Sequence, residues 1–188
     1  MFATGSPFGS LAYRALGAAA LDRGTYEGIE HDRTATVQAV VVVLGSSLAA
    51  GIGSSGASRP DPVMLLAVAG LALVTWIAWT LVILHLGGRY FADRQTEVDF
   101  GQLVRTIGFA ASPGLLQVFG VIPDLTVPVF ITAWLWMLAA MTVAVRQALD
   151  FRSMGRALAV CGAGLVLVLA LAFVIALFFG RAAARLAF

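Results

Sequence analysis

The sequence has few charged residues and almost no cysteine. Of its 188 residues, 60% are hydrophobic and only 12% are charged, whereas about a quarter of the residues in soluble globular domains are charged. The single cysteine, Cys161, lies in an apolar run, which excludes an internal disulfide and a metal centre built from several cysteines. The chain has no lysine, and its twelve arginines are spread singly, so no basic cluster predicts nucleic-acid binding.

Motifs of conventional catalysis are also missing. The only histidines are His31 and His85, and there is no GxSxG, no HExxH and no glycine-rich phosphate loop. The long apolar runs carry no carboxylate or base at their centres, where an ion-coupled pump or an intramembrane protease needs one. The pattern therefore favours a protein without enzymatic activity and without a cofactor.

What the sequence does contain is five apolar stretches, each long enough to cross a hydrocarbon core of about 30 Å, which takes roughly 20 helical residues. Glycine, proline and charged residues separate them. They cover residues 34–53, 63–87, 103–122, 127–145 and 157–179. The sequence therefore predicts an all-α integral membrane protein with a five-helix transmembrane domain over 34–188, preceded by a cytoplasmic segment over 1–33.

The third stretch is the least regular, because it contains Gly108, Ser112, Pro113, Gly114 and Gln117. A proline removes one backbone hydrogen bond and kinks a helix, so a re-entrant loop is an alternative. A kinked span is favoured, since neighbouring helices and serine hydroxyls can satisfy the freed carbonyls.

Arginine positions predict the orientation, because short cytoplasmic loops are enriched in basic residues. With five crossings, nine arginines fall on the side of the N-terminus and three on the other side. The nine are Arg14, Arg23, Arg33, Arg89, Arg94, Arg105, Arg146, Arg152 and Arg156; the three are Arg59, Arg181 and Arg185. The N-terminus is therefore predicted to be cytoplasmic and the C-terminus to lie outside, and the alanine- and arginine-rich composition suggests a bacterial inner membrane.

Two patterns predict how helices pack. Before the first span, Ser6 and Pro7 suggest a helix start, and apolar residues recur on one helical face, which predicts a short interfacial helix that also packs on the bundle. Within the first span, Gly45, Ala49 and Gly53 recur every four residues. Such a small-residue stripe permits close helix approach, and packing within the chain is favoured over dimerisation.

Two groups of polar residues could bind ligands on the cytoplasmic side. Carboxylates and histidines could hold a divalent metal if their segments converge, although ion pairing with nearby arginines competes and is favoured. These candidates are Glu27, His31, Glu97, Asp99 and His85. Four arginines at span edges could contact anionic lipid headgroups or an acidic partner, or could serve only as membrane anchors. They are Arg105, Arg146, Arg152 and Arg156.

Three segments of the sequence carry a family resemblance. They read TYEGIEHDRTATVQAVVVVL at 25–44, FGQLVRTIGFAASPGLLQVFGVIP at 100–123 and AVRQALDFRSMGRALAV at 144–160. In this order, and with five spans, they resemble the Yip (Ypt-interacting protein) domain family, in particular its bacterial members. The resemblance implies a five-helix membrane domain with a cytoplasmic N-terminus. Eukaryotic relatives associate with small Rab-type GTPases, but the DLYGP-type motif of those relatives is missing here, so GTPase binding is not predicted.

Three hypotheses about function follow. The first is a non-enzymatic membrane protein that acts through helix packing, lipid contact and binding to other membrane proteins or to a second copy of itself. The second is a small transporter or channel whose path follows the kinked third span, lined by Ser112, Pro113 and Gln117. The third is a membrane enzyme with a metal at Glu27, His31, Glu97 and Asp99.

Overall fold

The structure, a computed structural model, describes residues 7–56, 61–92 and 99–186. In these ranges the chain is helical and has no strand. The elements are α1 (Pro7–Ala19), α2 (Arg23–His31), α3 (Ala35–Ser54), α4 (Pro62–His85) with a π-helical turn (Leu86–Tyr90), α5 (Phe100–Phe109), a 3-10 helix (Ser112–Val121), α6 (Thr126–Ala148) and α7 (Met154–Leu186).

Five helical segments are long and apolar enough to cross a membrane, which confirms the predicted class. They are Ala35–Ser54, Pro62–Tyr90, Phe100–Val121, Thr126–Ala148 and Met154–Leu171. We call the end of the bundle where α3, α5 and α7 begin the basal end, and the opposite end the distal end. Aspartates begin three helices by accepting a hydrogen bond from a backbone N–H: Asp22 for α2, Asp61 for α4 and Asp99 for α5.

The third span is the central one. It has the lowest mean hydropathy of the five, 1.2, and 67% of it is buried inside the protein, against 22–33% of the other four. Every residue from Leu103 to Ala110 is buried, and α5 contacts α2, α3, α4 and α6. Because protein rather than lipid surrounds this segment, glycine, proline and polar side chains are tolerated in it.

The third span runs along α3 in a single direction. Toward the basal end Gly108 lies against Ala39, midway Gly114 lies against Ser46, and toward the distal end Gln117 lies against Gly53. Residue numbers therefore rise together in the two segments, so the chain advances past Pro113 instead of turning back. This is the kinked span, and the re-entrant alternative does not describe it.

Pro113 changes the type of helix. The proline has no N–H to donate to the carbonyl of Phe109, four residues earlier, and the hydroxyl of Ser112 donates to that carbonyl oxygen at 2.6 Å. From Ser112 the backbone continues as a 3-10 helix, with three residues per turn. Gly114, Gln117 and Gly120 are therefore aligned on one side of it, and all three are buried. The expected kink is thus a transition from α to 3-10 geometry.

The small-residue stripe of α3 packs against this 3-10 helix. A Cβ built on Gly53 would overlap the backbone carbonyl oxygen of Gln117, and one built on Gly45 would lie 3.2 Å from Leu115 Cδ2. The two backbones therefore touch where Gly53 meets Gln117. The stripe serves packing within the chain, as the sequence indicated, and the structure supplies its partner.

The first two helices form a hairpin on the side of the bundle. Leu21, with φ of 61°, makes the turn between them, and Arg14 of α1 forms an ion pair with Asp32 after α2. Hydrogen bonds from Thr34 and Arg14 lower the pKa of Asp32 to about 2. Trp136 of α6 donates to the carbonyl oxygen of Ala19 at 2.6 Å. The predicted N-terminal helix is present and packs on the bundle, and its Leu16 side chain is exposed.

Candidate functional site

Arg105 holds α2 against α5. Its side chain is only 7% exposed; Nε donates to the carbonyl oxygen of Ile29 at 3.3 Å, and a terminal nitrogen donates to that of Glu30. These carbonyls belong to the last turn of α2, where a positive charge also interacts favourably with the helix dipole. The expectation that Arg105 extends to lipid headgroups is therefore corrected: its guanidinium is buried and caps a helix.

Tyr26 adds a second link between α2 and the bundle. Its ring is fully buried, and its hydroxyl lies 3.3 Å from the carbonyl oxygens of both Ala18 in α1 and Ala140 in α6. Burial raises the pKa of this hydroxyl, so it stays protonated and can donate. The sequence around Tyr26 does not reveal this role, because an aromatic residue next to charged ones is not part of a periodic apolar pattern.

Glu30 is the least satisfied charged group at the basal end. The residue is 4% exposed, and its Oε2 has no hydrogen-bond partner in the described part of the chain. Burial, and next the negative charge of Asp150, raise the pKa of Glu30 above its usual range, while His31 and Gln147 act in the opposite direction. The carboxylate form is thus disfavoured in the folded protein.

We expect Glu30→Gln to stabilise the protein at neutral pH. A raised pKa in the folded state means that stability is fully present below the unfolded pKa, about 4.3, and is lost as the pH rises through the folded value. Glutamine does not ionise, so the variant escapes this loss. Thermal unfolding in detergent should show a higher Tm than wild type at pH 7.5 and little difference at pH 4. Glu27→Gln, at an exposed position, is the control; a Tm difference for Glu30→Gln that does not vary with pH would contradict the explanation.

Arg146 shapes the connection between α6 and α7. Its Nε donates to the carbonyl oxygen of Phe151 at 3.2 Å, and a terminal nitrogen lies 3.5 Å from that of Arg152. Arg152 is exposed, and the guanidinium of Arg156 lies 5.8 Å from the centre of the buried Phe151 ring. Of the four arginines proposed for headgroup contact, Arg152 and Arg156 therefore lie at the surface, while Arg105 and Arg146 organise backbone.

The metal candidates do not converge in the described residues. No group of three or more histidine, cysteine, aspartate or glutamate side chains that could hold a metal is found there. Asp99 caps α5, His31 contacts the carbonyl oxygen of Glu27 at 2.9 Å, and His85 packs edge-on against Tyr90. Glu97 lies outside the described residues.

One of the arginines expected to pair with a carboxylate has other partners. Arg14 forms an ion pair with Asp32, whereas Arg105 donates to backbone carbonyls. Backbone carbonyls at helix ends compete with carboxylates for buried guanidinium groups, and residue spacing along the chain does not reveal them.

The three residues predicted to line a path are separated by the packing. Ser112 and Pro113 are buried, and Ser112 is hydrogen-bonded to its own helix. Gln117 lines a cavity of about 450 Å³ between α3, α4, α6 and the third span. Trp76 and Trp79 also line it; these two residues were missed, although their spacing of three places them on one face of α4.

Comparison with known proteins returned one family. A family model described as the Yip1 domain matches residues 23–176. No curated protein and no solved structure matches the chain. The matched region begins at α2, so the helix that Arg105 caps lies inside it.

Proposed function

The chain belongs to the Yip1 domain family, and on that premise we propose that it is a non-enzymatic membrane protein that acts by binding anionic lipid headgroups and partner proteins at its basal end. The observation that carries this proposal is the connection between α6 and α7. Arg146 binds the backbone of that connection, which leaves Arg152 exposed and Arg156 half-buried beside it. Arginines at a membrane surface attract anionic headgroups, each contributing about 1 kcal/mol.

We place the protein in the inner membrane of a bacterium, with its N-terminus and basal end in the cytoplasm. The arginine distribution supports this orientation, since nine arginines precede or connect spans on the basal side and three lie on the other. The basal arginines would then face the leaflet whose anionic lipids they bind. Partner proteins with acidic surfaces would meet the same residues.

The test compares lipids retained by the purified full-length protein. We expect the double variant Arg152→Gln/Arg156→Gln to retain less phosphatidylglycerol in native mass spectrometry, with roughly tenfold to thirtyfold weaker binding for two lost charges. Phosphatidylethanolamine, which has no net charge, should be retained equally by both proteins.

The matched control is Arg23→Gln/Arg89→Gln, which removes the same charge from two other exposed arginines, one in α2 and one in the π-helical turn. If both double variants lose phosphatidylglycerol equally, general charge explains the binding and this surface is not a site. If neither variant loses any, the proposed role of Arg152 and Arg156 is wrong.

A further inference from the structure

The cavity beside Gln117 is a pocket near the middle of the bundle that opens at its side. Its volume of about 450 Å³ is within the range of small-molecule pockets, about 300 to 1,000 Å³. Ser47 of α3, Trp76 and Trp79 of α4 and Met137 of α6 line it near the middle of their helices. In a membrane-spanning bundle these positions are at the depth of the hydrocarbon, where bulk water is scarce.

Polar atoms of the lining have no partner within the protein. Four buried side-chain nitrogen and oxygen atoms in the described residues lack a hydrogen bond, and three of them belong to lining residues: Ser47 Oγ, Trp76 Nε1 and Trp79 Nε1. Trp76 is only 8% exposed. A donor without a hydrogen bond at this depth costs free energy. The occurrence of three such groups on residues that line one cavity therefore needs an explanation.

Elsewhere the bundle satisfies its buried hydroxyls locally. Thr80 donates to the carbonyl oxygen of Trp76, Thr106 to that of Gln102 and Thr142 to that of Leu138, each at 2.9 Å. These residues bond to their own helix, as hydroxyls in membrane helices commonly do. Among the described residues, the buried hydroxyl and indole N–H groups without a partner therefore all belong to residues that line the cavity.

The polar and apolar groups that line the cavity determine which class of ligand it can bind. An indole N–H can only donate a hydrogen bond, and the Ser47 hydroxyl can also donate, so a ligand must bring acceptor oxygens. The lining contains no charged side chain and is otherwise built mainly of valine, leucine, alanine and methionine, so the ligand must be uncharged and largely apolar. Trp134, at 61% exposure, also lines the cavity, which indicates an opening toward the lipid.

We infer that the cavity bounded by Ser47, Trp76, Trp79 and Gln117 binds an uncharged hydrophobic molecule that carries carbonyl oxygens and enters from the bilayer. Two sources share this chemistry: an acylglycerol without a charged headgroup and a quinone. The inference rests on the proposed function only in placing the bundle in a membrane. It involves none of the basal arginines, so either can fail without the other.

The experiment measures equilibrium binding of two radiolabelled probes, a short-chain diacylglycerol and a short-chain benzoquinone, to the full-length protein in detergent. Ala72→Leu adds bulk at a lining position of α4, and Ala67→Leu makes the same change on the exposed face of that helix. We expect wild type and Ala67→Leu to bind at least one probe and Ala72→Leu to lose it. The probe that binds identifies the source.

A second variant covers the case in which Ala72→Leu fails to fold. Ser47→Ala/Trp79→Phe removes two donors while keeping apolar side chains, and should weaken binding about tenfold or more. If wild type binds neither probe, or if folded Ala72→Leu or the donor variant binds as tightly as wild type, the inference is overturned.

Discussion

Gly53→Ala should strongly destabilise the protein. A Cβ at this position would overlap the backbone carbonyl oxygen of Gln117 and lie 3.2 Å from the ring of Phe130. A backbone oxygen cannot move away as a flexible side chain can, so α3 and the 3-10 helix must separate. We expect a loss of about 3 kcal/mol, at the upper end for overpacking, seen as a lower Tm in detergent.

Gly70→Ala is the matched control for this prediction. Gly70 lies in α4, and a Cβ built on it would meet nothing within 4 Å. Alanine forms helices better than glycine by about 1 kcal/mol, so this variant should be neutral or slightly stabilising. The two identical substitutions thus have opposite expected signs, and equal Tm values for Gly53→Ala and wild type would show that the two backbones do not touch.

Arg105→Met should release α2 from the bundle. The methionine keeps much of the side-chain length but leaves the carbonyls of Ile29 and Glu30 without their donor. Hydrogen bonds to a charged group contribute about 1.5 to 3 kcal/mol each, and an unsatisfied buried acceptor adds to the cost. We expect a loss of about 3 kcal/mol or more, together with faster proteolysis between α1 and α3.

Two further variants separate helix capping from general effects of charge. Arg89→Met removes an exposed arginine from the π-helical turn and should change neither Tm nor the cleavage rate. Arg105→Lys keeps the charge but lacks the two-pronged donor geometry, so it should be intermediate. If Arg105→Met and Arg89→Met behave alike, Arg105 does not hold α2 in place.

In the third span, local sequence predicts part of the structure. Pro113 predicts a kink because it lacks an N–H, and Ser112 predicts that a nearby hydroxyl bonds the carbonyl left without a donor, since both features are local. The two residues do not by themselves predict the change to a 3-10 helix. In the structure, Gly53 and Gly45 allow α3 to approach this helix closely, and Gly114, Gln117 and Gly120 are aligned on one buried side of it.

The candidate site could be predicted from the sequence less completely than the fold. In the sequence alone Arg105 resembles an arginine at the membrane edge, since it stands at the start of an apolar run. Its partners, the carbonyls of Ile29 and Glu30, are 76 and 75 residues away, and every residue type carries such a carbonyl. Likewise Trp76 and Trp79 look like ordinary apolar residues of a span in the sequence. Only the packing of four segments makes both line one cavity and leaves their N–H groups without a partner.

By itself the sequence determined the class of protein, the number of spans and the place of the break in the third one. Those properties follow from the free energy of transferring side chains to hydrocarbon and from backbone hydrogen bonds within one helix. Both depend only on residues that are close in the sequence. Only the tertiary structure decided that the least hydrophobic span is central, which helix packs on the glycine stripe and where Arg105 points. These depend on which surfaces meet, because a buried polar group is stable only next to the particular partner that folding brings to it.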